Sequence, residues 1–540
     1  MRVLVLGGVA AGTKIAAKLM REDRSNEVIV LNKGKDISYA GCGLPYYVGH
    51  VIEDKNQLIV NTPEKYSKLT GVSVLTQTEA VKVDTEGKKV TALDLKTGEE
   101  KVYEYDKLVI SVGASPIKPP IEGCDLENVF FVRTPEDAIR LRELADGGNV
   151  KRAVVVGAGY IGLEIAENLK LLGIRPFVLD MAEHALPGFD AEIAGYVEGK
   201  LQESGIPVVT GVTVTGIEGE GKVEKVLTSK KAYKADLVVL SAGIRPNTAF
   251  LEGSGIEMFK GTILTNEQGE TNIPDVYAAG DCAMVHNALT GKPSWSPMGS
   301  TANIDGRLIA QNIMGAGLGY GGVLGTAVCK LPGMNVGRTG LTMAQATAEG
   351  FSPVSVVTVV DDKAHYFPGA SSFIIKMIAD KDSLRLLGVQ VIGQGAVDKV
   401  VDIAVTGIML KGTLPELANM DFAYAPPFST AIHPFANTAN ILMNKIKGNF
   451  ETFTPAEFEA GEAKEYKVVD ACLVPSIEGA PYVDLTTVEG PVDGLDPQEK
   501  LLLVCNKGKR AYLLQNRLKY YGYTNTKVLE GGITFNDVEA

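Results

Sequence analysis

Lys151-Arg152-Ala153-Val154-Val155-Val156-Gly157-Ala158-Gly159-Tyr160-Ile161-Gly162 is the stretch that decides the fold. A short apolar run meets three glycines at the spacing GxGxxG, and a helical pattern continues through Glu164 and Glu167. The first glycine permits a tight turn out of a strand, the second lets a pyrophosphate approach the backbone, and the third lets the helix lie close to the strand. The helix N-terminus then offers unspent N–H groups to phosphate. The next apolar run, Arg175 to Leu179, ends at Asp180. An acid there accepts hydrogen bonds from a ribose 2′-hydroxyl and repels a 2′-phosphate. The module therefore reads as a site for NAD(H) rather than NADP(H), with Gly157, Gly159, Tyr160, Ile161, Gly162, Glu164, Asp180 and the later Gly243 as its contacts.

The same grammar opens the chain. Arg2 to Leu6 reads as a buried strand, Gly7-Gly8-Val9-Ala10-Ala11-Gly12 as the turn, and a helix runs to about Glu22 before a second strand, Glu27 to Leu31. Two positions depart: Val9 stands at the second glycine, and Asn32 stands where a ribose-binding acid is expected. Two fingerprints imply two dinucleotides. Tyr105 to Ala114 reads as a strand ending in a turn with Ser111 and Gly113, and its counterpart is Ala235 to Asn247. Ile273 to Asp281 follows, setting an acid beside Gly280. The second module is thus read as an insertion in the first.

The fold class is α/β. Residues 1–115 and 246–325 form one Rossmann-like domain, and residues 116–245 form the other. Gly315 to Gly325 is a connector carrying six glycines. Beyond it, 326–447 mixes strands with a helix from about Ala396 to Lys411 and repeats neither fingerprint, so it reads as a separate α+β domain. Residues 448–464 read as a polar linker. A small α/β unit fills 465–540, where strand Leu501 to Val504 runs into Cys505-Asn506-Lys507-Gly508-Lys509-Arg510.

Ser38-Tyr39-Ala40-Gly41-Cys42-Gly43-Leu44-Pro45 carries the chemistry. Cysteine does redox work as a thiolate, and flanking glycines let other groups approach its sulfur. There is no second cysteine within five residues, so Cys42 acts without a dithiol partner. It would cycle through a mixed disulfide, a persulfide or a sulfenic acid. A small packing residue is the alternative. A net charge of −12 over 540 residues opposes nucleic-acid binding. Six scattered cysteines suit a reducing cytoplasm better than a disulfide framework. No apolar run is long enough to cross a bilayer, so no membrane partner is expected.

Over residues 1 to 447 the order of motifs resembles the pyridine nucleotide-disulfide oxidoreductase family. Ser38 to Pro45 is similar to its single-cysteine branch of coenzyme A-disulfide reductases, NADH oxidases and persulfide reductases. The tail resembles a rhodanese domain. The resemblance implies FAD on the first fingerprint, with Gly7, Val9, Ala10, Ala11, Gly12, Asn32, Lys33, Val81, Ser111, Gly113, Gly280, Asp281 and Tyr424 as contacts. Asp281 would hold the ribityl chain, and Tyr160 would cover the flavin where nicotinamide enters. It also implies a homodimer through residues 326–447. Tyr366, in His365-Tyr366-Phe367-Pro368-Gly369, and Tyr424, in Tyr424-Ala425-Pro426-Pro427, match the tyrosines that help protonate a leaving thiol.

Ser38, Arg21 and Asn303 keep the branch's substrate pattern, and Lys14, Lys18 and Arg21 share one helix face that could hold an anionic nucleotide tail. Gly41 stands where the coenzyme A-specific members have Asn, so coenzyme A stays open as substrate or bound ligand. In the tail, Cys505 keeps the rhodanese cysteine position as a candidate sulfur carrier, with an inactive binding fold as the alternative. The expected activity is NADH-driven reduction of a small disulfide, persulfide or polysulfide. One rival is an NADH oxidase or peroxidase using a Cys42 sulfenic acid, and the other is a redox-sensing flavoprotein without turnover. His433 reads as structural.

Overall fold

The structure is a computed structural model and describes residues 1–539. These group into two compact units, residues 1–185 with 205–323 and residues 186–204 with 324–539.

The first unit holds both dinucleotide modules. In the first, five parallel strands run in the order Val276–Ala278, Lys107–Ile110, Arg2–Leu6, Glu27–Asn32, Ser73–Thr76. A parallel sheet covered on both faces needs apolar residues on both sides, and the strands supply them by alternation. Val3, Val5, Val28, Val30 and Val109 pack with Ile15 and Leu19 of the helix Ala11–Glu22. Leu4, Leu6, Leu31, Leu108 and Ile110 form the opposite core.

The second module repeats the plan, with parallel strands in the order Val208–Val209, Arg175–Leu179, Arg152–Val156, Leu237–Leu240, Val129–Phe130. Its insertion is visible in the backbone. The outgoing strand Ala114–Pro116 pairs antiparallel with the returning strand Ile244–Pro246, with Ser115 opposite Arg245. Asn247 fastens the crossing, its N–H donating to the Gly113 carbonyl and its side-chain amide to the Val112 carbonyl, each at 3.0 Å.

The second unit is built on an antiparallel sheet in the order Ala327–Leu331, Met334–Gly340, Leu386–Gly393, Ser372–Asp380, Pro353–Asp361. Helices Val397–Met409 and Pro434–Ile446 bury apolar stripes. The segment 186–204, which the sequence assigns to the NAD module, groups with this unit. A buried ionic cluster ties it there. Lys376 on the central strand pairs with Asp190 at 3.0 Å and with Glu192, and Gln390 donates to Asp190 at 2.6 Å. Opening such a buried cluster from one side costs about 3–5 kcal/mol, which holds the helix Ala191–Glu203 on this sheet.

The tail is a four-stranded parallel sheet in the order Thr452–Phe453, Thr526–Leu529, Leu501–Val504, Lys467–Asp470. Here the expected linker 448–464 is corrected. Its Thr452–Phe453 is a strand of that sheet, and its Pro455–Glu459 is a helix closed by a Thr454/Glu457 capping box. Polar composition hid both, because an edge strand of two residues and a capped turn look alike in a Glu- and Thr-rich segment. Among the described residues no helix is long and apolar enough to cross a membrane.

His433 is structural, as read. Its Nδ1 accepts the Phe435 N–H at 3.2 Å and so caps the helix Pro434–Ile446, while its ring stacks on Phe422. Burial, aided by the charge of Lys399, pulls its pKa down to about 4. The unfolded chain therefore takes up this proton first, and stability falls as pH drops from about 6.5 towards 4. Between pH 7 and 5 the loss is about 2 kcal/mol. His433→Asn keeps a capping side chain and should lose this part of the pH dependence, which urea midpoints at the two pH values would show.

Candidate active site

Both fingerprints produce the same strained junction. Gly7 and Gly157 adopt φ of +97° and +114°. A Cβ on Gly12 would lie 1.8 Å from the Gly7 carbonyl oxygen, and one on Gly162 would lie 2.0 Å from the Gly157 oxygen. Each helix is pressed onto the end of its strand. Ser111 and Ser241 brace the two turns alike, their hydroxyls donating to the carbonyls of Leu6 and Val156 at 2.9 and 3.1 Å.

Asn32 and Asp180 are a third matched pair. Asn32 Oδ1 accepts the Gly8 N–H at 3.0 Å, and Asp180 Oδ2 accepts the Ala158 N–H at 2.6 Å. Asn32 also donates to the carbonyls of Gly34 and Asp36. Its amide thus locks the turn and brings no charge to a ribose. Asp180, half-buried, keeps a carboxylate at the strand end.

The helix starts fit phosphate. Helices beginning at Pro135, Met343, Leu414 and Pro455 each carry a capping box. Those beginning at Ala11, Tyr160 and Gly299 have no side-chain cap and no acid in the first turn. Their N–H groups stay available to an anion. A Cβ at Gly159 would meet no protein atom within 4 Å, so this glycine leaves room for something the chain itself does not supply.

Cys42 lies in the short turn Gly41–Gly43, before the helix Leu44–Val48. It is the one exposed cysteine among the described residues, and the other five are buried. A Cβ at Gly41 would also meet nothing within 4 Å, which leaves open space beside the sulfur. Loss of water around the thiol pushes its pKa up, and the carboxylates of Glu164 and Asp281 add to this, while Arg133 opposes them. These groups together disfavour the Cys42 thiolate. Tyr46, two residues into that helix, donates to Glu164 at 3.0 Å, and burial raises the Glu164 pKa.

Asp281 follows Gly280, at φ +75°, and pairs with Arg133 at 2.7 Å. Arg133 also lies over Gly113, 3.7 Å from where its Cβ would be. The sequence reading missed Arg133 and Tyr46. The Thr134/Asp137 capping box marks a helix start beside Arg133, but its partner is 148 residues away and no local spacing reveals it.

Other expected residues lie further out. Val81 sits half-buried at a register shift of the strand Thr78–Asp84. Lys33 is exposed and paired with Glu79 at 2.8 Å. Gly113 and Gly243 adopt φ of +64° and +101°. On the helix Ala11–Glu22, Lys18 is paired with Glu22, which weakens the cationic stripe expected of Lys14, Lys18 and Arg21. Ser38 takes φ +49°, and Asn303 donates to the Gly299 carbonyl within its own helix.

In the second unit Tyr366 and Tyr424 come together. Both are exposed, and the Tyr366 hydroxyl donates to the Tyr424 oxygen, which raises the Tyr366 pKa. Cys505 is buried at 2 % exposure, its Sγ accepting N–H groups of Gly508 at 3.2 Å and Ala511 at 3.4 Å. Two of the three loop cations are spent elsewhere. Arg510 donates to the Ala471 carbonyl and pairs with Asp484, and Lys507 pairs with Asp361.

Residues 1–302 match the family described as pyridine nucleotide-disulphide oxidoreductase, and residues 326–436 match its dimerisation domain. An NADH oxidase of Methanocaldococcus jannaschii is 36 % identical over 447 residues, covering 83 % of this chain and 99 % of that protein. The NAD(P)H coenzyme A polysulfide/persulfide reductase of Pyrococcus horikoshii is 36 % identical over 443 residues, 82 % of this chain and 98 % of that protein. The solved structure of an NAD-dependent persulfide reductase from A. fulgidus superimposes with a TM-score of 0.94 at 35 % identity, covering 99 % of this chain and all of that one. With the paired phosphate turns and the lone exposed cysteine, these matches establish that the chain belongs to the pyridine nucleotide-disulphide oxidoreductase family.

Proposed function

We propose that this protein is a homodimeric, NADH-driven flavoenzyme that reduces small disulfides, persulfides or polysulfides at Cys42. The observation that carries the reading is Cys42 itself: exposed, without a neighbouring thiol, beside open space at Gly41 and within the electrostatic reach of both Asp281 and Glu164. A cysteine so placed forms one mixed disulfide at a time. The Cys42 thiolate attacks a substrate sulfur, a new S–S bond forms, and the displaced sulfur leaves as a thiolate that takes a proton. Tyr366 and Tyr424 are assigned that proton, and in the homodimer they act on the other copy's site. FAD and NADH, when bound, supply the two electrons that cleave the mixed disulfide. Asp281 is assigned to the ribityl hydroxyls of FAD and Arg133 to its charge, while the uncapped helix starts at Ala11 and Tyr160 take the two pyrophosphates. The coenzyme A-linked relative from Pyrococcus horikoshii supports a coenzyme A-linked persulfide or polysulfide as a substrate. Arg21, Ser38 and Lys14 remain as its contacts, and Lys18 is already neutralised.

The tail is assigned a rhodanese-like role, with Cys505 as sulfur carrier. The support is the backbone nest around its sulfur, where two N–H groups suit a thiolate or a persulfide. A relative named NADH oxidase supports a second reading, in which Cys42 cycles as a sulfenic acid. Oxygen uptake with NADH separates the two.

NADH should be preferred over NADPH, because a 2′-phosphate would sit against Asp180. Asp180→Ala should narrow the preference about tenfold, about 1.4 kcal/mol. Steady-state kcat/KM for the two nucleotides measures it, and a parent enzyme that favours NADPH would refute the assignment.

Cys42→Ser should still bleach the flavin with NADH in stopped flow, yet lose turnover of disulfides and persulfides by a factor of about 10³ or more. Polysulfide treatment should add sulfur to Cys505, seen by peptide mass spectrometry. Cys505→Ser should slow polymeric sulfur donors far more than a small disulfide. No sulfur gain and no slowing would leave the tail a structural module.

A further inference from the structure

The loop after Cys505 does something its own chemistry does not require. Lys507 reaches out of the tail and bonds to the dimerisation sheet, its Nζ donating to Asp361 Oδ1 at 2.7 Å and to Ser372 Oγ at 2.8 Å. Asp361 is the last residue of one strand and Ser372 the first of the next, and the two are directly paired in register. Between them lies the hairpin loop 362–371, which carries His365, Tyr366 and Phe367. Lys507 therefore bridges both strands at the point where this hairpin leaves the sheet.

Three further ties bear on the hairpin: its first rung, the buried Ala364, and the hydrogen bond between Tyr366 and Tyr424. Asp362 closes its first rung, with its N–H donating to the Ser371 carbonyl and its carboxylate accepting the Ser371 N–H and hydroxyl. Above that rung the backbone makes two short turns, Phe367 N–H to the Ala364 carbonyl and Ala370 N–H to the Phe367 carbonyl, and leaves the sheet at the point Lys507 bridges. Tyr366, at its tip, is 66 % exposed. The tail that delivers Lys507 is itself firmly seated. The carboxylate of Glu530, buried at 2 % exposure, accepts from Lys445 at 2.6 Å, Thr452 at 2.7 Å and the Val357 N–H at 2.7 Å. Two residues further on, the turn Gly532–Phe535 holds the Cys505 loop by N–H bonds from Ile533 and Thr534 to the carbonyls of Cys505 and Asn506. A Cβ on Gly532 would lie 1.9 Å from the Cys505 carbonyl oxygen. The loop is thus fixed from the tail side, and Lys507 passes that rigidity to the hairpin.

We propose that Lys507 is a positioning residue for the reaction at Cys42. It holds the base of the hairpin so that Tyr366 is presented in one direction, and the tail thereby supports reduction as well as carrying sulfur. The proposal rests on the assignment of Tyr366 as proton donor. A positioned proton donor contributes roughly 10²–10⁴ in rate, and a loosened hairpin forfeits part of that.

The test uses the full-length holoenzyme with NADH and a small disulfide. Lys507→Ala should lower kcat about three- to tenfold with KM changed less than about twofold, and Lys507→Arg should restore most of it. In a Tyr366→Phe background Lys507→Ala should have no further effect, because the two act through one group. Hydrogen exchange of amides 362–371 should quicken about threefold or more in Lys507→Ala and in Asp361→Asn, and the latter serves if the lysine variant fails to fold. Unchanged exchange, an unchanged kcat where Tyr366→Phe does reduce it, or additive losses in the double variant would overturn the proposal. If Tyr366→Phe alone leaves turnover intact, the proton-donor assignment fails, and the exchange data still decide whether Lys507 holds the hairpin.

Discussion

Everything at the reducing site depends on how closely two helices approach the strands that precede them. At Gly7 and Gly12, and again at Gly157 and Gly162, there is no space for a Cβ, and the last glycine of each turn lies against a carbonyl oxygen. That contact fixes the direction of each helix, and the lack of any capping side chain leaves its first N–H groups facing outward. Backbone donors fixed in this way pre-pay the ordering that binding a pyrophosphate requires. The serine and Asn/Asp braces repeat in both modules, so the phosphate turns are held by the same four-part junction twice.

Charge is distributed unevenly around Cys42. Two carboxylates from different modules, Glu164 and Asp281, disfavour its thiolate, while Arg133 supports it and is itself tied to Asp281. In the proposed reaction, a group bound beside Cys42 would have to draw out its anion. A cationic or hydrogen-bonding group next to the sulfur reverses that bias. The proposed reaction thus couples Cys42 to its ligands by electrostatics, and a Cβ at the neighbouring Gly41 would meet nothing within 4 Å.

Much of this was legible in the sequence. Both fingerprints and the insertion of one module in the other follow from glycine spacing and apolar periodicity, which are local signals, whereas the exposure of Cys42 is shown only by the fold. The missing parts are all long-range. Arg133 finds its acid 148 residues on, Lys507 finds Asp361 at 146, and the Lys376 cluster draws residues 186–204 out of the module that their position in the chain suggests. Polar and charged side chains carry no periodicity that names a partner. The strand Thr452–Phe453 was hidden for a related reason, since a two-residue edge strand has no alternation to read. The Cys505 loop carries Lys507, Lys509 and Arg510 in sequence, but only the fold shows that Lys507 and Arg510 are already engaged.

The central claim is that Cys42 passes electrons to sulfur, and acceptor choice tests it most directly. The measurement is NADH oxidation by the purified holoenzyme, with oxygen consumption recorded in parallel. The acceptors are coenzyme A disulfide, coenzyme A persulfide, glutathione persulfide, polysulfide and dioxygen, supplied one at a time. The account predicts that at least one sulfur acceptor supports turnover well above the rate with dioxygen, and that this turnover vanishes in Cys42→Ser. If oxygen consumption accounts for all NADH oxidised and no sulfur acceptor raises the rate, the claim is contradicted.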